Sequence, residues 1–93
     1  MPAVDSLAAP REIVGHAKAF LGVIAEVAVS RTRVQVDCSS LKRVDFVSAA
    51  ALLNLAADLI RDGKRLELDN VNQLVAALFE VMGVSALAKV TTR

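Results

Sequence analysis

Apolar residues recur at helical spacing in three stretches of this chain and at period two in shorter stretches between them, and that alternation leaves few folds open. From Arg11 onward they fall at Ile13, Val14, Ala17, Phe20, Leu21, Ile24, Val27 and Ala28, which predicts a helix over about residues 11–28. Pro10 sits at or just ahead of its first turn, where the missing N–H costs nothing. Arg33, Val34, Gln35, Val36, Asp37 and Cys38 alternate polar and apolar, a strand with Val34, Val36 and Cys38 on its core face. Residues 41–47 form a connection with Val44, Phe46 and Val47 available for burial. Ser48 is the expected N-cap of a second helix, with Leu52, Leu55, Ala56 and Leu59 as its main stripe, ended at Asp62-Gly63. Residues 64–69 read as a strand with Leu66 and Leu68 inward. Asn70 or Asn72 caps a third helix carrying Leu74, Val75, Leu78, Phe79 and Met82, ended by Gly83. Residues 86–91 form a last short strand, with Leu87 and Val90 inward. Ahead of the first helix, residues 3–7 have room for one short edge strand.

Strands alternating with helices imply parallel pairing through right-handed crossovers. The expectation is a single α/β domain over residues 1–93. Its central, mostly parallel sheet has about four strands packed by helices, with shortened N-terminal strands. Val34, Val36, Leu52, Leu55, Leu59, Leu66, Leu68, Leu78 and Met82 are its expected core.

Eleven Lys and Arg against ten Asp and Glu leave a net charge of +1, no field for steering nucleic acid or an anionic membrane. Cys38 is the lone cysteine, so no intramolecular disulfide forms and nothing calls for an oxidising compartment. The first nine residues lack the pattern of a secretory signal. Residues 13–29, the most apolar stretch, are broken by Gly15, His16, Lys18, Gly22 and Glu26 and make a poor membrane span. The reading is a cytoplasmic protein without direct membrane insertion. One His and one Cys do not make a metal site, the four glycines form no phosphate-binding motif, and no triad can assemble around His16. No cofactor and no catalytic residue is expected. Asp37 and Asp45 flank the first strand-to-helix connection, where α/β proteins place function; the plainer reading is two solvated loop carboxylates.

The segment from Val36 to Leu55 resembles the centre of the STAS family (sulfate transporter and anti-sigma-factor antagonist). The family pattern is a strand ending in Asp, a loop with Val-x-Phe-Ile, then Asp-Ser-Ser-Gly-Leu opening a helix. Val44, Phe46 and Val47 match the apolar element, and Leu52 and Leu55 match the helix leucines. Downstream, residues 63–71 look like the family's next strand and turn, and residues 78–84 like its following helix. The resemblance covers residues 33–91. It implies a non-catalytic protein–protein interaction module.

Two departures shape that expectation. In anti-sigma antagonists the second serine of Asp-Ser-Ser-Gly is phosphorylated. Aligned on apolar spacing, the motif becomes Ser48-Ala49-Ala50-Ala51, so the acceptor position is Ala50 and no phosphorylation is expected there. Ser48 is an acceptor only in a shifted register. The family also begins with two strands before its first helix, and here one short strand is expected. The resemblance implies a partner-binding surface of Asp45, Phe46, Ser48, Ala49 and Ala50. The implied partner is the ATPase of an ABC transporter, as for the STAS subunit of bacterial Mla-type lipid-transport systems. The alternative is an anti-sigma or kinase-type protein, regulated without the phosphoserine switch. The apolar excess, 55% of residues, together with Phe20 and Val23 on the first helix, predicts a homodimer or a swapped N-terminal segment when the partner is absent.

Overall fold

The computed structural model describes residues 6–15 and 18–93. Among them, four strands form one parallel sheet: β1 (Ser6–Ala8), β3 (Arg33–Asp37), β5 (Arg65–Val71) and β6 (Lys89–Thr92), in that spatial order. Two shorter strands, β2 (Glu12–Ile13) and β4 (Arg43–Val44), pair in parallel as a separate ribbon. The helices are α1 (Lys18–Val29), α2 (Phe46–Arg61), α3 (Gln73–Met82) and α4 (Val84–Leu87).

The sheet adds strands in one direction, and right-handed crossovers in one direction put every connecting helix on the same face. Alternation sorts the side chains accordingly. Val34, Val36, Leu66 and Leu68 are buried under the helices with Ile24, Leu52, Leu59 and Phe79. The opposite face carries Arg33, Gln35, Arg65, Glu67 and Lys89. Arg33 donates from Nε and Nη2 to the two Glu67 oxygens at 2.8 and 3.0 Å, and Gln35 adds a third bond at 3.2 Å. The hydrogen bonds from Arg33 hold the Glu67 carboxyl below its ordinary range against the opposing effect of burial.

Several expectations need correction. The first helix starts at Lys18 rather than Arg11, with residues 16 and 17, and so His16, outside the described residues. Glu12 and Ile13 are strand, because their backbone is claimed by β4: the Arg11 carbonyl accepts the Lys42 and Arg43 N–H groups at 2.7 and 3.2 Å. Gly15 at φ +62° then turns the chain. Two short strands thus precede α1, and the expected missing strand is β2. The edge strand is Ser6–Ala8; the part of it expected at residues 3–5 lies outside the described residues.

Residues 84–87 are helix α4, and the last strand begins only at Lys89. Gly83, at φ +89°, ends α3 as expected. Leu87 and Val90 are half-buried, as are Leu55, Leu78 and Met82 from the expected core. Phe79, Val71, Ile13, Leu41 and Val84 supply core volume in their place. Phe20 is packed against that core, which reduces the apolar face of α1 open to a second copy.

Leu52→Ala should cost about 2–5 kcal/mol in denaturant unfolding, and Leu55→Ala clearly less. Equal losses would place Leu55 in the core after all. Glu67 has a folded-state pKa below its unfolded one, so its contribution is complete above about pH 4.3 and is lost as pH falls through the lower, folded value. Glu67→Gln should flatten that acid limb of the stability profile, measured by urea melts from neutral pH downward.

Candidate functional site

The segment from Lys42 to Ala50 is positioned by one side chain. Asp45 is the N-cap of α2, and its Oδ1 accepts the Ser48 N–H at 2.8 Å. Its Oδ2 accepts the Gly15 N–H at 2.9 Å, and its own N–H donates to the Ile13 carbonyl at 3.3 Å. The carboxylate therefore joins the β2–α1 turn to the start of α2, with its charge on the positive end of that helix.

This corrects the expected N-cap. Ser48 is the third residue of α2, fully buried, and so is Ala49. A carboxylate that reaches two N–H groups from different segments takes the capping position over a hydroxyl that serves one. Ser48 and Ala49 therefore lie beneath the surface expected to meet a partner, while Asp45 and Ala50 are half-buried. Phe46 and Val47, expected to be available for burial, are 65% and 47% exposed.

The observed N-cap offers a second register for the motif. With the helix-opening Asp placed on Asp45, the two serine positions fall on Phe46 and Val47. The acceptor position carries no hydroxyl in either register, Ala50 or Val47.

Beside Phe46 lies an open, mostly apolar cleft of about 340 Å³. Its walls are Val44 and Phe46 on one side and Leu74, Val75 and Leu78 of α3 on the other, with Lys42 and Arg43 at the rim. Asn72 fixes its width. The Asn72 Oδ1 caps α3 by accepting the Val75 N–H at 2.8 Å, while Nδ2 donates to the Leu41 carbonyl at 3.0 Å. Leu74 is 79% exposed and Val81, two turns on, 81%. Sequence reasoning missed α3 as part of the site. The available signal was its apolar content: Leu74, Val75, Leu78, Phe79, Val81 and Met82 within ten residues exceed one buried stripe.

The other candidates are structural. Asp37 accepts from the Ser39 N–H, the Ser39 hydroxyl and Asn70 Nδ2 at 3.0–3.1 Å. The Asn70 bond leads in holding its carboxyl below the usual range. Asn70 itself, at φ +59°, occupies the left-handed region that asparagine tolerates. Burial, then the charges of Asp37 and Asp69, push the Cys38 thiol up to about 12, which leaves it unreactive at neutral pH. Among the described residues no group of His, Cys, Asp and Glu could hold a metal ion, and no helix is long and apolar enough to cross a membrane.

The family model described as Mlab, STAS domain, matches residues 14–90. The chain belongs to the STAS family, with the parallel sheet and helices that such a domain requires. That membership places it in a class of interaction and regulatory modules that are typically not enzymes. No match was found among curated proteins, and none among solved structures.

Incubation with an anti-sigma-type kinase and ATP should leave the intact mass unchanged. Stoichiometric phosphate on Ser48 would show that the first turn of α2 opens in solution.

Proposed function

We propose that this chain is a non-phosphorylated STAS adaptor that binds a protein partner through the start of α2 and the adjoining face of α3. The observation that carries this reading is Phe46. A phenylalanine in the first turn of a helix, 65% exposed beside an apolar cleft, is an unusual surface residue in a 93-residue chain with three phenylalanines. Exposed aromatics that border a pocket are the residues that anchor protein interfaces. The surface comprises Asp45, Phe46, Val47 and Ala50 of the loop and α2 with Leu74 and Leu78 of α3. Asp45 acts by holding the others in place.

The partner favoured is the ATPase of an ABC-type lipid transporter. The support is the Mlab description of the matched family, together with the Mla-type systems that the sequence resembles. The regulator reading, an anti-sigma or kinase-type partner, has less behind it because neither register supplies a phosphoacceptor. A homodimer through α1 also has less behind it, since Phe20 packs inward and the exposed large apolar residues left on the helix, Val23 and Val29, lie about 120° apart around it.

Phe46→Asp should weaken capture of an ABC-transporter ATPase from the native cell by at least about tenfold, or ~1.4 kcal/mol. Thermal stability should change little, because the side chain is exposed. Undiminished binding by a folded Phe46→Asp protein would remove this surface from the interface.

A further inference from the structure

The cleft has a direction, and that direction says something about what enters it. On one side Lys42 and Arg43 stand exposed at the rim, next to Arg11, whose carbonyl ties both of their backbones. The acidic groups nearby are largely committed. Asp45 points its oxygens at the Ser48 and Gly15 N–H groups, and Glu12, 3.7 Å from Arg43, makes with it an exposed ion pair that offsets part of the rim's charge and leaves Lys42 to lead it. The middle is apolar: Phe46, Leu74 and Leu78, continuing along α3 to Val81. At 100° per residue, Leu74, Leu78 and Val81 share one face of α3. Glu80 falls on the flank of that face away from Leu78 and the cleft. The surface thus runs from basic, through an apolar trough, to acidic.

We propose that the cleft receives an amphipathic helix of the partner, with an apolar stripe at i, i+3 or i+4, and i+7, and with acidic residues along the flank facing Lys42 and Arg43. This rests on the reading of the site given above and adds the chemistry of what binds there. Two observations select that occupant. The trough is open and extends past the cleft to Val81, which matches the face of a helix better than an enclosed small molecule. The cationic rim favours an acidic flank and sets the polarity in which the helix lies.

The test uses two synthetic peptides with the same leucine stripe, one with glutamates and one with lysines on the flank. Each is titrated into the full chain by fluorescence anisotropy at low and at high salt. The glutamate peptide should bind about tenfold tighter at low salt, lose that advantage at high salt, and lose binding with Leu74→Asp. Lys42→Glu combined with Arg43→Glu should reverse the preference, in a protein whose circular dichroism is unchanged. Equal affinity for the two peptides, or binding indifferent to Leu74→Asp, overturns the proposal. So does displacement of the peptide by decanoate at submillimolar concentration, or a dimer of the chain alone that Leu74→Asp dissolves; these put a small amphiphile or a second copy in the cleft. If the charge reversal has no effect on capture of the ATPase while Phe46→Asp abolishes it, the surface stands and the acidic helix falls.

Discussion

One carboxylate sets the position of everything that makes this surface distinctive. Asp45 holds an N–H of its own helix with one oxygen and an N–H of a turn thirty residues earlier with the other. The first bond fixes where α2 begins. The second ties that beginning to β2, whose pairing with β4 is too short to hold the ribbon in register without help. With the helix opening at Phe46, the phenylalanine faces solvent and Ser48 turns inward. Asn72 repeats the device on the other wall of the cleft, capping α3 while gripping the Leu41 carbonyl. The two walls are therefore held by caps that are also cross-braces.

Below the site, the sheet is covered on one face only. Parallel sheets usually bury both faces and read as continuous apolar runs. Here the strands alternate, and the outer face is stitched by Arg33, Gln35 and Glu67 instead of being roofed by helices. The arrangement lets about ninety residues build a parallel sheet with a single layer of helices. Lys64 serves the same economy by donating to the Ala28 and Arg31 carbonyls, so that a side chain at the start of β5 closes the end of α1.

Much of this was legible in the sequence where periodicity and burial agree. Val34 and Val36 in β3, Leu66 and Leu68 in β5, and the Leu52–Leu59 stripe of α2 alternate or repeat because each side chain faces one environment. Gly63 and Gly83 marked helix ends because left-handed backbone favours glycine. What periodicity could not resolve were the two-residue strands. Ile13 fits a helical period by chance, and only the distant β4 backbone makes it strand. The cap at Asp45 was hidden for a related reason, since half of what recommends it over Ser48 is a hydrogen bond to Gly15. The site was half visible. Phe46 was singled out, but Leu78 was expected in the core and Leu74 was given no role in the site, because a sequence does not say which of two apolar stripes on one helix is covered.

The spatial order of the main strands is also their order along the chain, and that has a consequence for how the protein is made. Each main strand after β1 pairs with one that lies earlier in the sequence. A ribosome therefore delivers them in the order in which the sheet can accept them, and each main strand after β1 finds its first partner already translated. β3 can close on β1, and the cross-brace at Asp45 can lock, while β5, α3 and β6 have yet to emerge from the ribosome.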